Sequence, residues 1–357
     1  VVEPGPVLTR VLAFAGVIWL LACTLAEAQH LPPGCRLAPQ RYLRISDRRV
    51  TQEMVIEVGP VDVPAHSMAP RQRQLTYQIG FAPLTGWING FRVEVVDSSG
   101  RALPRWLLHH IVTARPGTRE LFLPVTQRFV GIGIETRALR FPSWLAGAAL
   151  RQGEPLLVNT MFHNPTDLAY HGVRVRLVLA YSDTRPWLEV APFNVDVMFP
   201  IGAKDFDLPP GRTVRAWEGS PAVPVRLLVL GGHLHRYARW AELVDLTTSA
   251  TIWRMRPDTN AGGAVTHIPM HLVRFGLGVV IDPAHRYRLT AMYDNPTGRT
   301  IPHGGMAKIG GLVVPARGAR WPGVDAQDSL YRQDMRRLLR FQCGFEGSAE
   351  EPEEMAP

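Results

Sequence analysis

The chain has little lysine, little cysteine and no long apolar run past its beginning. Of its 39 Lys and Arg residues only Lys204 and Lys308 are lysine, and only three of 357 residues are cysteine. The net charge of +8 is therefore carried by Arg scattered along the chain. A nucleic-acid footprint needs clustered basic residues. Even Arg336-Arg337 and Arg340 are followed directly by acidic residues, so nucleic acid is not an expected partner. There is no CxxC pair, which excludes a zinc ribbon and a redox dithiol. Helical periodicity is missing except near the C-terminus. What is abundant is Gly (32) and Pro (31), set between short apolar segments. That composition predicts strands joined by turns.

The first residues read as a targeting segment. Arg10 precedes the apolar run Val11 to Ala22, and Ala26-Glu27-Ala28 supplies small residues before Gln29. This is the layout of a secretory signal peptide over 1–28. The run is shorter than the roughly 20 residues of a membrane span. Leu20-Leu21-Ala22-Cys23 also resembles a lipobox, which would make Cys23 a lipid anchor. The expectation is a secreted or periplasmic protein with no transmembrane span in its mature chain. Export would permit a disulfide between Cys35 and Cys343, but spacing cannot show that their Cα atoms approach.

Beyond the signal, 29–70 is expected to be an irregular Pro-rich segment. A first strand series runs through 71–195 and includes Trp106–Val112, Glu120–Val125 and Leu156–Phe162. The looser stretch Thr184–Pro210 is the expected connection. A second series over 196–318 includes Val225–Leu230, Met270–Val280 and Ile309–Val314. A helix is expected within 319–345, with Asp328 and Ser329 available to cap it, followed by a disordered acidic tail over 346–357. Met161-Phe162-His163-Asn164-Pro165-Thr166 echoes Met292-Tyr293-Asp294-Asn295-Pro296-Thr297. Leu107-Leu108-His109-His110 echoes Leu228–His235 more loosely. The ordered echoes suggest internal duplication. The fold class predicted is all-β: two tandem jelly-roll-like antiparallel β-sandwiches with a short C-terminal helix.

Each half carries a histidine pair and one later donor. The first has His109, His110 and His163; the second has His233, His235 and Met306. Residues two apart on a strand share a face, so His233 and His235 can reach one ion while Leu234 turns inward. Gly231-Gly232 before them admits a bulge. Adjacent His109 and His110 can do the same only at a bulge or strand end. Imidazole suits copper in both oxidation states and a thioether favours Cu(I). Taken singly, each has an ordinary reading: a surface His-x-His, one buried and one exposed histidine, a turn histidine, a core methionine. Their ordered recurrence favours metal ligation.

On these residues the region from Arg73 to Pro315 resembles the copper type II, ascorbate-dependent monooxygenase family. The resemblance implies two copper ions, an electron-transfer copper on His109, His110 and His163 and an oxygen-binding copper on His233, His235 and Met306. It also implies dioxygen as co-substrate, ascorbate as reductant, and a small-molecule or peptide-like substrate whose C–H bond is hydroxylated. In this reading His233, His235 and Met306 carry the catalysis. Ile111 stands where the family's pair is usually followed by Met. Gly231, Lys308 and Gly310 stand where the peptide-processing members place their carboxylate-binding Arg, Asn and Tyr, so that substrate class is not implied. Lys308 is a candidate anchor for an anionic substrate, and His303 a candidate near Met306. The rival reading is a non-enzymatic copper-binding or copper-handling protein on the same fold.

Overall fold

A computed structural model describes residues 42–69, 77–199, 205–276 and 278–339. The signal peptide, Cys23, Cys35, Cys343, Lys204 and the acidic tail lie outside them. The first half contains β1 (Leu43–Arg48), β2 (Glu53–Val63), β3 (Ser67–Ala69), β4 (Gln78–Phe81), β5 (Gly86–Val96), β6 (Leu108–Arg119), β7 (Thr126–Gly133), β8 (Leu139–Arg140), β9 (Ala146–Leu150), β10 (Pro155–Asn164), β11 (Tyr170–Ser182) and β12 (Leu188–Glu189). The second contains β13 (Ala191–Asp196), β14 (Phe206–Leu208), β15 (Gly211–Gly219), β16 (Val225–Leu234), β17 (Ala238–Asp245), β18 (Ala250–Met255), β19 (Asp258–Thr259), β20 (Val265–His267), β21 (His271–Leu272), β22 (Val279–Ile281), β23 (Tyr287–Asn295), β24 (Ile301–Gly305) and β25 (Ala307–Pro315), and α1 (Ser329–Leu339) follows.

In the first half the sheet β1-β2-β11-β5-β9-β12, with β8 on β5, faces the sheet β3-β10-β6-β7, with β4 on β10. Their inner faces supply Met54, Ile56, Leu177 and Leu179 from one side and Leu108, Ile111, Val158 and Phe162 from the other. In the second half β13-β25-β16-β21, with β22 on β16, stands opposite β15-β23-β17-β18. Val195, Leu230, Leu234 and Ile309 meet Leu243, Leu289 and Tyr293 there. Nearly every pairing is antiparallel, and period-two alternation puts one face of each sheet into a core. The chain is thus an all-β protein of two jelly-roll-like sandwiches with a short C-terminal helix.

Part of the outer face of the sheet that carries β16 and β25 is not exposed to solvent. On β16 and β25 the even members Leu230 and Leu234 and the odd members Ile309 and Val313 fill the second core. Val229 joins the first core, and Leu312 and Val314 pack against it. Leu121 and Phe122 cross the other way into the second core. One face of β16 and β25 is therefore the interface between the sandwiches.

Several expectations change. Residues 43–69 are not irregular: they form β1, β2 and β3. Met54, Ile56 and Val58 alternate inward, and β2 pairs along most of its length with β11; the flanking prolines hide this in the sequence. β13 pairs with β25, so the second sandwich begins by Ala191 rather than at 196, and Thr184–Pro210 holds strands rather than a loose connection. Glu120–Val125 is not a strand. Its buried Glu120 carboxylate instead accepts the N–H groups of Arg128 (2.7 Å) and Asn194 (3.0 Å). Met270–Val280 is broken at a short turn, where Arg274 has a left-handed φ of 47°.

Asp328 caps α1, its Oδ1 accepting from Leu330 (2.8 Å) and Tyr331 (3.2 Å). The helix buries Tyr331, Met335, Leu338 and Leu339 against Tyr77, Ile79, Ala114 and Leu157 of the first half. Asp334 accepts from both guanidinium nitrogens of Arg128, at 2.6 and 2.7 Å. Among the described residues no helix is long and apolar enough to cross a membrane.

The Asn-Pro-Thr echo is one device used twice. Asn164 Nδ2 donates to the carbonyls of Pro64 and Leu168, and its Oδ1 accepts from Thr166 N and Oγ1. Asn295 Nδ2 donates to Leu208 and Arg299, and its Oδ1 accepts from Thr297 N and Oγ1. The surroundings are not equivalent. β10 lies beside the His109-His110 strand β6, whereas β23 lies in the sheet opposite β16. The paired echoes therefore do not map one histidine strand and its neighbour onto the other.

Candidate metal centre

In the first half a β-bulge aligns the adjacent histidines. Across β10 and β6, Met161 pairs with His110 and Phe162 with Leu108, leaving His109 as the extra residue. A bulge sets two residues of one strand against one of the next and re-aims a side chain. His109 and His110 accordingly share the face away from buried Leu108 and Ile111. Their Nδ1 atoms stand 3.0 Å apart and share a hydrogen bond. Two nitrogens each about 2.0–2.1 Å from one ion would be spaced about 3.0–3.4 Å, so both can address one metal. His110 Nε2 is held by Asn159 Oδ1 at 2.8 Å. If that nitrogen carries the proton, the His110 Nδ1 lone pair accepts from His109 Nδ1, and a metal bound there would take the place of that proton. His163, on β10, has its ring centre 6.5 Å from that of His109.

In the second half the pairing is regular. His233 lies opposite Lys308 and Leu234 opposite Ala307. His235 continues the ladder, its N–H donating to the Met306 carbonyl at 3.3 Å. Directly opposite residues share a face, so His233, His235, Met306 and Lys308 all lie on the interface side. The expected bulge at Gly231-Gly232 is instead at Leu228, between Leu227 and Val229. Tyr293 Oη donates to the Met306 carbonyl and accepts from His235 N–H, fastening the two strands where the donors lie. The rings of His233 and His235 are 5.1 Å apart. His235 Nε2 is sealed from solvent and has no hydrogen-bond partner. A buried polar atom of this kind carries a desolvation cost unless something binds it.

The two sets face each other across the interface. Glu135, just past the end of β7, places Oε1 2.8 Å from His233 Nδ1, with only 4% of its side chain exposed. Sequence reading missed Glu135: it lies between the histidine groups of its own half, in no motif. Its carboxyl is pushed up by burial but pulled further down by the charge and hydrogen bond of His233, so it sits below its ordinary value. Burial, then repulsion from His233 and His163, holds His109 down at about 4. His163 is lowered by burial. His235 falls well below its usual value through burial first and then repulsion from His233 and His109. These three imidazoles are neutral near neutral pH, the state a metal requires.

Lys308 Nζ is 3.5 Å from Asp196 Oδ2, and 27% of its side chain is exposed. His303 is turned away to Asp205, its Nδ1 2.9 Å from Oδ1, with φ 53°. Among the described residues no three His, Cys, Asp or Glu side chains are already closed around a single point. What the chain presents is two aimed pairs, each beside a third donor on the neighbouring strand. That donor chemistry fits copper.

No family model and no curated protein matches the chain. Among solved structures it is similar to the major capsid protein P2 of bacteriophage PM2, with 11% identity, 75% of this chain and 100% of that chain covered, and a TM-score of 0.34. It is also similar to the VP2 subviral particle of infectious bursal disease virus, with 8% identity, 83% and 78% covered, and a TM-score of 0.23. At these values neither similarity bears on what the chain does.

Proposed function

We propose that this is an exported dicopper protein of the monooxygenase type, oxidising a substrate C–H bond with dioxygen and a reductant such as ascorbate. The observation that supports it best is the pairing at the interface. His109 and His110 aim Nδ1 atoms 3.0 Å apart, and His235 keeps a buried Nε2 without a partner. His109, His110 and His163 would hold one ion, and His233, His235 and Met306 the other. Copper there would supply one-electron transfer and oxygen chemistry. The chain's own part is to keep His109, His163 and His235 neutral by burial and to fix the rings of His110 and His233 through Asn159 and Glu135. Tyr293 ties Met306 to His235. Lys308 lies on the same face, with its ammonium already beside Asp196. An anionic substrate group would share it.

Carbon monoxide on the reduced, copper-loaded protein tests the division of labour. A carbonyl signal lost in Met306→Ala and kept in His163→Ala supports it; a signal indifferent to Met306 and His233 contradicts it. A second reading, copper holding without turnover, is favoured by the sealed His235 nitrogen and by the contact between the halves. Oxygen uptake by the loaded protein with ascorbate decides between the two.

A further inference from the structure

We infer that Glu135 of the first sandwich is the positioning residue for His233 of the second, so that the second donor set is complete only when the halves are docked. This rests on the copper reading of His233, His235 and Met306. The turn that carries Glu135 is held from several sides. Thr136 N donates to Gly133 O (3.2 Å), and Gly133 N donates to Thr136 Oγ1 (3.1 Å). Arg105 Nη2 donates to the carbonyls of Gly133 and Thr136. His267 Nδ1 lies 3.2 Å from the Glu135 carbonyl. A Cβ at Gly133 would fall on the Glu135 carboxylate, so the carboxylate holds this place only beside a glycine.

A carboxylate taken out of water costs several kcal/mol unless it is paired, and the partner here is His233 Nδ1 from the other sandwich. A carboxylate on one ring nitrogen fixes the tautomer, orients the ring and strengthens the other nitrogen as a donor. With Nδ1 engaged, Nε2 is the nitrogen that His233 offers. The first donor set depends on Glu135 less directly: His110 is steadied by neutral Asn159 of its own half, and Glu135 reaches His109 through its charge. Parting the sandwiches would therefore release His233 while Asn159 keeps its hold on His110.

The test is titration of metal-free protein with copper(I) against a chromophoric chelator. Wild type should fill two sites. Glu135→Ala should weaken the second site by about ten- to a hundred-fold and the first far less. Glu135→Gln, which keeps an acceptor oxygen, should weaken it less. Gly133→Ala, which displaces the carboxylate without removing it, should resemble Glu135→Ala and guards against a variant that fails to fold. In metal-free wild type at mildly alkaline pH, histidine nitrogen NMR should find the His233 proton on Nδ1. Two sites of wild-type affinity in Glu135→Ala, or a His233 proton on Nε2, would overturn the assignment alone. No copper bound by wild type would overturn the reading beneath it.

Discussion

The two histidine pairs reach the same end by different backbone means. His233 and His235 use the ordinary strand period, with Leu234 in the second core between them. His109 and His110 are neighbours in sequence and share a face only because the ladder slips by one residue at His109. The regular pair is set by side-chain alternation and the irregular pair by a backbone defect. A further difference follows from their surroundings. The irregular pair is steadied within its own sandwich, by Asn159; the regular pair borrows Glu135 from across the interface. Similar histidine pairs can thus differ in what holds them in place.

Deleting His109 attacks this comparison most directly. The deletion removes the bulge and returns the strand to plain alternation, with one outward histidine. First-site copper should be lost entirely and second-site copper kept, as read by metal analysis of the purified variant. Retention of two ions would show that the bulge is not what aims the pair.

The halves also differ in that the apolar face of α1 packs on the first. Asp334→Ala leaves Arg128 without its partner in a largely buried place. The expected cost is about 3 kcal/mol, measured by chemical denaturation. A loss under about 1 kcal/mol would mean that the helix is held by its apolar face alone.

A difference confined to acid comes next. His109 is held down at about 4 against an ordinary 6.5. Between those values the unfolded chain binds the proton first. Its contribution to stability is therefore full above about 6.5 and lost as pH falls toward 4, up to about 3 kcal/mol. Metal-free His109→Gln should lose less stability than wild type over that window; parallel curves would rule the imidazole out as the cause. The smallest contrast expected is between Asn164→Ala and Asn295→Ala. Each removes the same turn device, and each should cost about 1–3 kcal/mol by thermal or denaturant unfolding. Unequal losses would show that the shared geometry conceals different loads.

Much of this was legible in the sequence where local periodicity governs. The His-x-His face, the all-β class and the capped C-terminal helix follow from alternation, turn residues and Asp328. The Asn-Pro-Thr echo was legible as well, although the strands beside it proved inequivalent. What could not be read depends on distant partners. β2 was hidden because Pro60 within it and Pro64 after it disguise a strand that β11 stabilises from more than a hundred residues away. Glu120 looked like a strand residue, but its carboxylate gathers amides from two other segments. Glu135 has no motif at all, and its role exists only once a ring from the other sandwich is set beside it.

The central claim is that the chain carries two separate copper sites, one in each donor set. Copper analysis of the purified chain, joined to X-ray absorption of the reduced state, tests it most directly. The account predicts two ions per chain, with a sulfur scatterer that disappears in Met306→Ala together with one ion. A single ion ligated by histidines from both halves, or none, would contradict it.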